Sequence, residues 1–354
     1  MISVYCKRHE DLVHFFKMES GLVACTDIDG LMQTLNINHN PLDWQLFIES
    51  SKLSFKAFPL HNTNTLPSIP VSHSVHNKEL YENMKILMED INYDKFKWQI
   101  CGDLKVIALL LGPKQGFTKY CCFVCEWDSR ARSLHYSRKY WPARKSLELR
   151  IMNVENQPLV EPSIIFLPSM NLKVGLMKNF VKAMNQEEAA FTYLWEKLPR
   201  LNEAKLKESI FIGPQIWDII KDEYFDKLLQ GDEKAAWDSF KFVVKVFLGN
   251  RRAQSYEELV NNFLQSYQKL GCNMSLKIHF LHRIWIFFRR IVAQWVMNTE
   301  NISIKTFLHW RRDIKGNGTV LCSPTTAGLW QGISLPWNTS DRQSKKKKRD
   351  FCVK

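Results

Sequence analysis

The chain has 354 residues, 45% hydrophobic and 24% charged, as in a globular protein of one large domain or two. It has no 18-residue apolar run and begins without the apolar stretch of a signal peptide, so we predict no transmembrane helix and no secretion. A nuclear or cytoplasmic protein without a membrane partner is expected. The nine cysteines are scattered and odd in number, which indicates reduced thiols rather than a disulfide framework.

The net charge of +13 is unevenly distributed along the chain. Residues 283–354 contain 14 basic and 4 acidic residues, which leaves 35 basic and 32 acidic residues in 1–282, a net charge of +3. Charge-driven binding to DNA is therefore expected to depend on the last fifth of the chain. Its basic run at residues 345–349 fits a nuclear import signal, and it equally fits a solvated tail that binds any polyanion.

The N-terminal segment is predicted to be helical. Apolar spacing predicts a short amphipathic helix over residues 10–20, followed by a turn at 25–30 and a second helix at 30–35. Asp27 and Asp29 lie where this second helix begins. They are candidate metal ligands, although a helix N-cap is the more common role for an aspartate at that position.

A sheet is predicted to follow. Residues 44–58 alternate or run apolar around a polar Glu49-Ser-Ser turn, which indicates two adjacent strands. A third strand is predicted at 68–74, a helix at 80–91 and a strand at 98–103. Residues 104–111 fit either the start of a helix or an extension of that strand. The resulting order of strand, strand, strand, helix, strand is the opening of an RNase H-like fold, an α/β class with a mixed sheet.

The second half is predicted to be mostly α-helical. A polar, proline-bearing stretch at 153–162 is predicted to be a linker. Helical spacing then predicts helices at 174–184, 187–198, 203–208, 214–220, 234–247 and 256–270. We divide the chain into an N-terminal helical segment (1–40), a core with a zinc knuckle (41–150), a helical insertion (151–282) and a basic tail (283–354) that is disordered, irregular or out of frame.

Two motifs carry potential chemistry. Asp103 closes an apolar strand, where a carboxylate suits a hard divalent metal, although such a residue is commonly a helix cap. Cys122 and Cys125 form a C-x2-C pair that supplies two of zinc's four tetrahedral ligands. His279 and His282 are the natural completion of that site, and His135 is an alternative nearer in sequence. The cysteines also fit two half-buried thiols, and the histidines fit a core helix face.

Several segments together resemble a transposon-derived family that occurs in many copies in arthropod and other invertebrate genomes. The segments that carry the resemblance span about residues 5–282 and are Ile48-Glu-Ser-Ser-Lys-Leu-Ser, Ser68-Ile-Pro-Val, Cys101-Gly-Asp-Leu-Lys-Val-Ile, Tyr120-Cys-Cys-Phe-Val-Cys-Glu-Trp-Asp-Ser-Arg-Ala, Leu176-Met-Lys-Asn-Phe-Val-Lys-Ala-Met and Met274-Ser-Leu-Lys-Ile-His-Phe-Leu-His. The layout of acids and zinc ligands is similar, more distantly, to DDE transposases of the Transib and V(D)J-recombinase type. These have an RNase H-like core with a helical insertion.

The resemblance implies two-metal phosphoryl transfer with Mg²⁺ or Mn²⁺ held by three carboxylates. Asp103 corresponds to the second carboxylate. Glu49 stands at the first, where the family has aspartate, and its extra methylene would misplace a metal pair that must lie about 3.5–4 Å apart. Asn171 is a further departure, because the family motif has histidine there. These differences imply that the ancestral catalytic metals are lost.

The resemblance stops after His282, where family members continue into an acidic helix and this chain continues Arg283-Ile-Trp-Ile-Phe-Phe-Arg-Arg. We interpret 283–354 as translated outside the ancestral reading frame or from a mispredicted exon. The third carboxylate is then missing, and Glu300 or Asp313 would match it only by accident.

Three hypotheses follow from the sequence. The first is a catalytically inactive, transposase-derived protein that associates with DNA at most. The second is a zinc-stabilised module whose helical half contacts a protein partner and that performs no nucleic-acid chemistry. The third is an active metal-dependent nuclease or strand transferase that uses Glu49, Asp103 and an unplaced acid.

Overall fold

The structure is a computed structural model that describes most of the chain between residues 12 and 287. The described residues are 12–50, 54–63, 65–74, 80–116, 118–138, 140–198, 213–248 and 256–287. The helix predicted at 203–208, the acids Glu300 and Asp313 and the basic run at 345–349 lie outside these ranges.

Seven strands among the described residues form one mixed sheet. They are β1 Phe16–Glu19, β2 Leu22–Cys25, β3 Trp44–Ser50, β4 Phe55–His61, β5 Ser72–Ser74, β6 Gln99–Gly102 and β7 Ile165–Phe166. Their order across the sheet is β1-β2-β5-β4-β3-β6-β7. Neighbours from β1 to β3 are antiparallel, whereas β6 pairs in parallel with both β3 and β7. The carboxyl ends of β3, β6 and β7 therefore lie at one edge. The predicted α/β class is confirmed.

The alternation along β3 sets the two faces of the sheet. Leu46 and Ile48 are fully buried on the face that joins the main hydrophobic core. Phe47 lies on the opposite face, where it packs with Cys101 and Phe166 in a small separate cluster. Because side chains alternate along a strand, Glu49 follows Phe47 onto this second face. The period-two pattern of residues 44–58 thus predicted β3 and β4 correctly.

The helix predicted over residues 10–20 is wrong for most of that segment: among its described residues, only Leu12 and Val13 are helical. Phe16–Glu19 forms β1, and Ser20 and Gly21 make the two-residue turn to β2 with φ of 51° and 79°. Left-handed backbone at both turn positions matches the right-handed twist of a hairpin. The apolar residues that suggested a helix are Leu12 and Phe15, which are buried in the core just before the strand.

Eleven helices of the described residues pack on and beside this sheet. They are α1 Ile28–Thr34, α2 Tyr81–Asp90, α3 Tyr93–Phe96, α4 Leu104–Leu111, α5 Ser169–Ala183, α6 Ala189–Lys197, α7 Gly213–Ile220, α8 Glu223–Leu228, α9 Gly231–Phe242, α10 Tyr256–Lys269 and α11 Leu276–Phe287. A π-helical turn, Val243–Phe247, extends α9. Across the described ranges, none of these helices is both long and apolar enough to cross a bilayer.

Caps define the two helices on which the sequence was ambiguous. Asp27 accepts the Gly30 N–H at 3.0 Å and is the predicted N-cap of α1, whereas Asp29 binds His39 and Lys95 at 2.8 and 2.6 Å. Residues 104–111 form helix α4 and do not extend β6. Asp103 accepts the N–H groups of the second and third helical residues, and these donors would otherwise be unpaired.

Helix α5 is the centre of the helical half, because it packs against α7, α9 and α11. Phe180 of α5 lies 5.3 Å from the Trp237 ring of α9, which meets Phe225 of α8 edge-on at 5.1 Å. A single hydrophobic core, with members from Leu12 to Leu281, contains these three aromatic side chains and also the buried face of the sheet. The helical spacing of apolar residues that predicted these helices therefore reflects packing in this core.

Most predicted helices are confirmed within a few residues, but six elements were not predicted: β1, β2, α3, β7, α8 and α11. Strand β7 is only two residues long, and helix α8 only six, so neither shows a period. Helix α11 continues to Phe287 and so includes the first five residues of the predicted irregular tail. Residues 288–354 lie outside the described chain.

The turn after α4 gives a stability prediction. Gly112 has φ of +84°, and a Cβ there would overlap the Asn156 carbonyl oxygen. Gly116 has φ of +94° with open space around it. We expect Gly112→Ala to lower the free energy of unfolding by about 2 kcal/mol more than Gly116→Ala, because only the first adds a backbone clash to the left-handed penalty. Equal losses in urea-unfolding experiments would contradict this.

Candidate metal centre and carboxylate edge

The C-x2-C pair lies in a folded loop that follows α4. Cys125 forms an antiparallel bridge with Ala143, and the Arg144 N–H donates to the Val124 carbonyl oxygen at 3.0 Å. These bonds hold the segment between the cysteines against the returning chain. Both thiols are buried.

His279 reaches the cysteines from helix α11, more than 150 positions away in sequence. Ser275 starts this helix: its hydroxyl accepts the Ile278 N–H at 3.3 Å, and its carbonyl oxygen accepts the His279 N–H at 2.9 Å. The His279 side chain is buried and stacks on the Trp127 indole, with ring centroids 4.7 Å apart. The start of the helix and the indole together fix the direction of the imidazole.

Cys122, Cys125 and His279 form a compact group of potential metal ligands. Their ligand atoms all lie within 4.8 Å of one another. The two Sγ atoms are 3.6 Å apart, and Cys125 Sγ lies 3.2 Å from His279 Nε2. Two thiols and an imidazole, converging in a buried place, are the ligand types that structural zinc sites use.

The electrostatics of this group disfavour bare thiolates. Burial, and then the neighbouring Cys125 thiol, raise the pKa of Cys122 well above its ordinary value. Burial lowers the pKa of the half-buried Arg144 guanidinium. The nearby Cys122 and Cys125 thiols act in the opposite direction and raise it. Its Nη2 donates to the Met152 carbonyl oxygen at 2.7 Å. A bound divalent cation would supply the charge that two thiolates need here.

The other predicted zinc ligands are placed differently. His282 is half-buried one turn beyond His279 and is not part of the three-residue group. His135, the alternative, stacks near Trp127 at 4.9 Å, and its Nε2 lies 2.8 Å from the Asp128 carbonyl oxygen. Cys121 lies half-buried outside the group, and burial raises its pKa to about 11.

The predicted acidic pair lies at the carboxyl edge of the parallel strands. Ile48 pairs with Gly102 at the end of the β3–β6 ladder. Continuing this register by one residue places Glu49 of β3 beside Asp103, just after β6. Because register sets which residues share a face, the two positions follow Phe47 and Cys101 on the second face of the sheet.

The Asp103 carboxylate already has local partners. One oxygen accepts the Lys105 and Val106 N–H groups at 2.9 and 2.8 Å. Lys277 of α11 lies nearby: burial and Lys178 lower the pKa of its ammonium group, and Asp103 opposes this shift. Its alkyl chain lies over Gly175 of α5. A lysine ammonium therefore lies close to the predicted catalytic aspartate.

No third carboxylate joins this edge among the described residues. The one group there with three or more potential metal ligands is Cys122, Cys125 and His279. Asn171 lies in the first turn of α5. The described part of the chain thus brings two carboxylate positions together but does not assemble a three-acid set.

A row of polar side chains crosses the second face next to Glu49. The strand register places Lys56 opposite Glu49, and His73 opposite Lys56. Burial, and secondly Lys56, lower the pKa of His73 to about 4. The row therefore holds a histidine that stays neutral beside a lysine and a glutamate.

Sequence patterns did not reveal the residues that support these sites. Trp127, Arg144 and Lys277 reach their partners through tertiary contacts without a fixed spacing. The one sequence feature that could have indicated them is closeness to a predicted ligand. Trp127 lies two residues after Cys125, and Lys277 lies two residues before His279.

Comparisons with known proteins give two partial family matches. Residues 4–160 match the model "Domain of unknown function (DUF8703)", and residues 169–249 match "Domain of unknown function (DUF8704)". The first match contains Glu49, Asp103 and both zinc-type cysteines. No curated protein matches the chain. Neither description states an activity.

His73 predicts a pH dependence of stability. The pKa of His73 is about 4 in the folded chain, against an ordinary value of 6.5. Between these two pH values, the unfolded state binds more protons than the folded state. The free energy of unfolding therefore decreases as the pH falls through this range. His73→Gln removes this proton uptake. We expect it to reduce the stability lost between pH 7 and 4 by about 1–2 kcal/mol in urea unfolding. The control is His14→Gln, at an exposed histidine outside the sheet. An unchanged acid loss in His73→Gln would refute the assignment.

Proposed function

We propose that this chain is a transposon-derived protein with an RNase H-like core, and that its ancestral two-metal DNA chemistry is no longer supported. A zinc ion on the C-x2-C knuckle stabilises the body, and association with DNA is the activity that remains. The observation that carries the proposal is the parallel β3–β6 register, which pairs Ile48 with Gly102. Continued by one residue, it supports a position for Glu49 beside Asp103 at the carboxyl ends of the two strands.

The strand connections support the RNase H-like assignment. Counting from β3, three antiparallel strands are followed by helices α2 and α3, and β6 then returns beside β3 in parallel, with β7 beyond it. An RNase H-like sheet places its first metal-binding acid on the first strand and its second on the fourth. On this assignment, Glu49 and Asp103 correspond to these two positions.

Three features argue against surviving catalysis. Two-metal catalysis requires a set of carboxylates that holds both ions. Glu49 reaches one methylene further than the aspartate of the resembling family. Asp103 uses one oxygen as a helix cap, and the positive charge of Lys277 is near enough to interact electrostatically with the same carboxylate.

The zinc assignment rests on the donor set. Cys122, Cys125 and His279 supply two sulfurs and one nitrogen with tetrahedral-type spacing. His282, one helical turn after His279, is on the same side of α11 and is the proposed fourth ligand. Such a site ties α11 to the knuckle and contributes to folding rather than to chemistry.

Zinc content tests the metal centre. We expect the purified chain to contain about one zinc per molecule, and Cys122→Ser to lose most of it with a fall in thermal midpoint, because a structural site needs all its thiolates. Elemental mass spectrometry under native conditions measures the ratio. The matched control is Cys121→Ser, which changes the adjacent thiol outside the group. Wild-type protein without zinc, or full zinc in Cys122→Ser, would disprove the site.

A nicking assay tests the loss of catalysis. Asp103→Asn keeps the side-chain oxygen that caps α4 and removes the charge that binds metal. We expect wild type and Asp103→Asn to give the same background on supercoiled plasmid with Mg²⁺ or Mn²⁺. Metal-dependent nicking or strand transfer that disappears in Asp103→Asn would support an active nuclease instead. Zinc binding without DNA association would favour the protein-interaction module.

A further inference from the structure

The small positive charge of the folded body is concentrated in one part of it. Residues 119–150, which we call the knuckle lobe, contain 8 basic and 3 acidic residues, a net charge of +5. Residues 1–282 carry +3 in total, so everything outside the lobe sums to −2.

The lobe is a folded unit around the cysteine pair. Asp128 stabilises the first turn of the lobe. Its carboxylate binds the Lys119 ammonium at 3.4 Å and accepts the Arg130 backbone N–H at 2.9 Å. On the returning side, Arg138 lies over the Trp141 ring at 4.4 Å. Turns and rings therefore fix the backbone that carries the cations.

The cations of the lobe face solvent, while its acids are partly neutralised. Five basic residues are exposed: Arg130, Arg132, Arg138, Lys145 and Arg150. Of the acids, Asp128 already has the partners described above, Glu126 is half-buried, and Glu148 accepts the Ser146 hydroxyl. The outward field of the lobe is positive.

We infer that the knuckle lobe is the surface through which the folded body contacts the phosphate backbone of duplex DNA. This rests on the DNA association proposed above and names the surface responsible. Exposed arginines on a fixed backbone suit phosphates, because the guanidinium offers several donors without losing its charge. Exposed serines of the same lobe, Ser133 and Ser137, add hydroxyl donors of the type that contact DNA backbones.

A triple substitution in the full chain tests the surface. Arg130→Gln, Arg132→Gln and Lys145→Gln together remove three exposed charges. We expect binding to a fluorescent duplex of arbitrary sequence, measured by anisotropy, to weaken at least about tenfold, and the slope of log K against log salt to become shallower by about 2–3. A charge-conserving variant, R130K/R132K/K145R, should bind within about twofold of wild type.

The matched control removes the same charge elsewhere. Lys182→Gln, Lys227→Gln and Lys269→Gln alter three exposed lysines of the helical half. We expect a change below about threefold, because these charges lie outside the lobe. Zinc content and thermal midpoint must match wild type in every variant, which separates lost contacts from lost folding.

The outcomes distinguish the surface from the function on which it rests. If both triple variants weaken binding equally, the lobe has no special role and the inference fails, while DNA association stands. If wild type does not bind duplex DNA even at low salt, both fail. If the lobe variant (Arg130→Gln, Arg132→Gln and Lys145→Gln) loses binding to heparin but binds DNA as the wild type does, the lobe is a surface for another polyanion. That result would also overturn the inference.

Discussion

The parallel pairing of β3 with β6 is the contact on which the sites of this protein depend. It brings residues more than fifty positions apart into register. Strand β6 then ends at the carboxyl edge of the sheet, where Asp103 caps the start of α4. The knuckle follows directly from that helix. A shift of one residue in this register would turn Glu49 towards the core and separate the acidic pair, because strand faces alternate.

Helix α11 connects the two sites. Lys277 approaches Asp103, and two residues later His279 approaches Cys125. Each successive residue of an α-helix is rotated by about 100° around the helix axis. Side chains two positions apart therefore point to different sides of the helix. One helical turn therefore presents a cation to the carboxylate edge and a ligand to the cysteines. Zinc binding would fix the helix that carries both residues.

Under the proposed function, the fold was retained after its chemistry changed. The strand order and the positions of Glu49 and Asp103 support that proposal. On the same proposal, the glutamate at the first position and the helix-capping role of Asp103 would each weaken metal binding at that edge. The knuckle combines ligands of a different kind with the main excess of positive charge in the body. Scaffold and charge can thus outlast catalysis, since folding and polyanion binding place fewer demands on geometry.

The sequence by itself determined what is local and periodic. Alternating and apolar runs predicted β3, β4 and β6, and helical spacing predicted most of the second half. Residue chemistry selected Asp103, Cys122, Cys125 and His279, whereas Glu49 was selected only through the family resemblance. It did not determine the N-terminal hairpin, where two left-handed turn residues outweighed an apolar spacing that favoured a helix. Tertiary structure alone decided that, of the three candidate histidines, His279 lies in the group with the cysteines, and that the charge of Lys277 lies near Asp103. Such convergence depends on how distant elements pack, and packing leaves no period in the sequence.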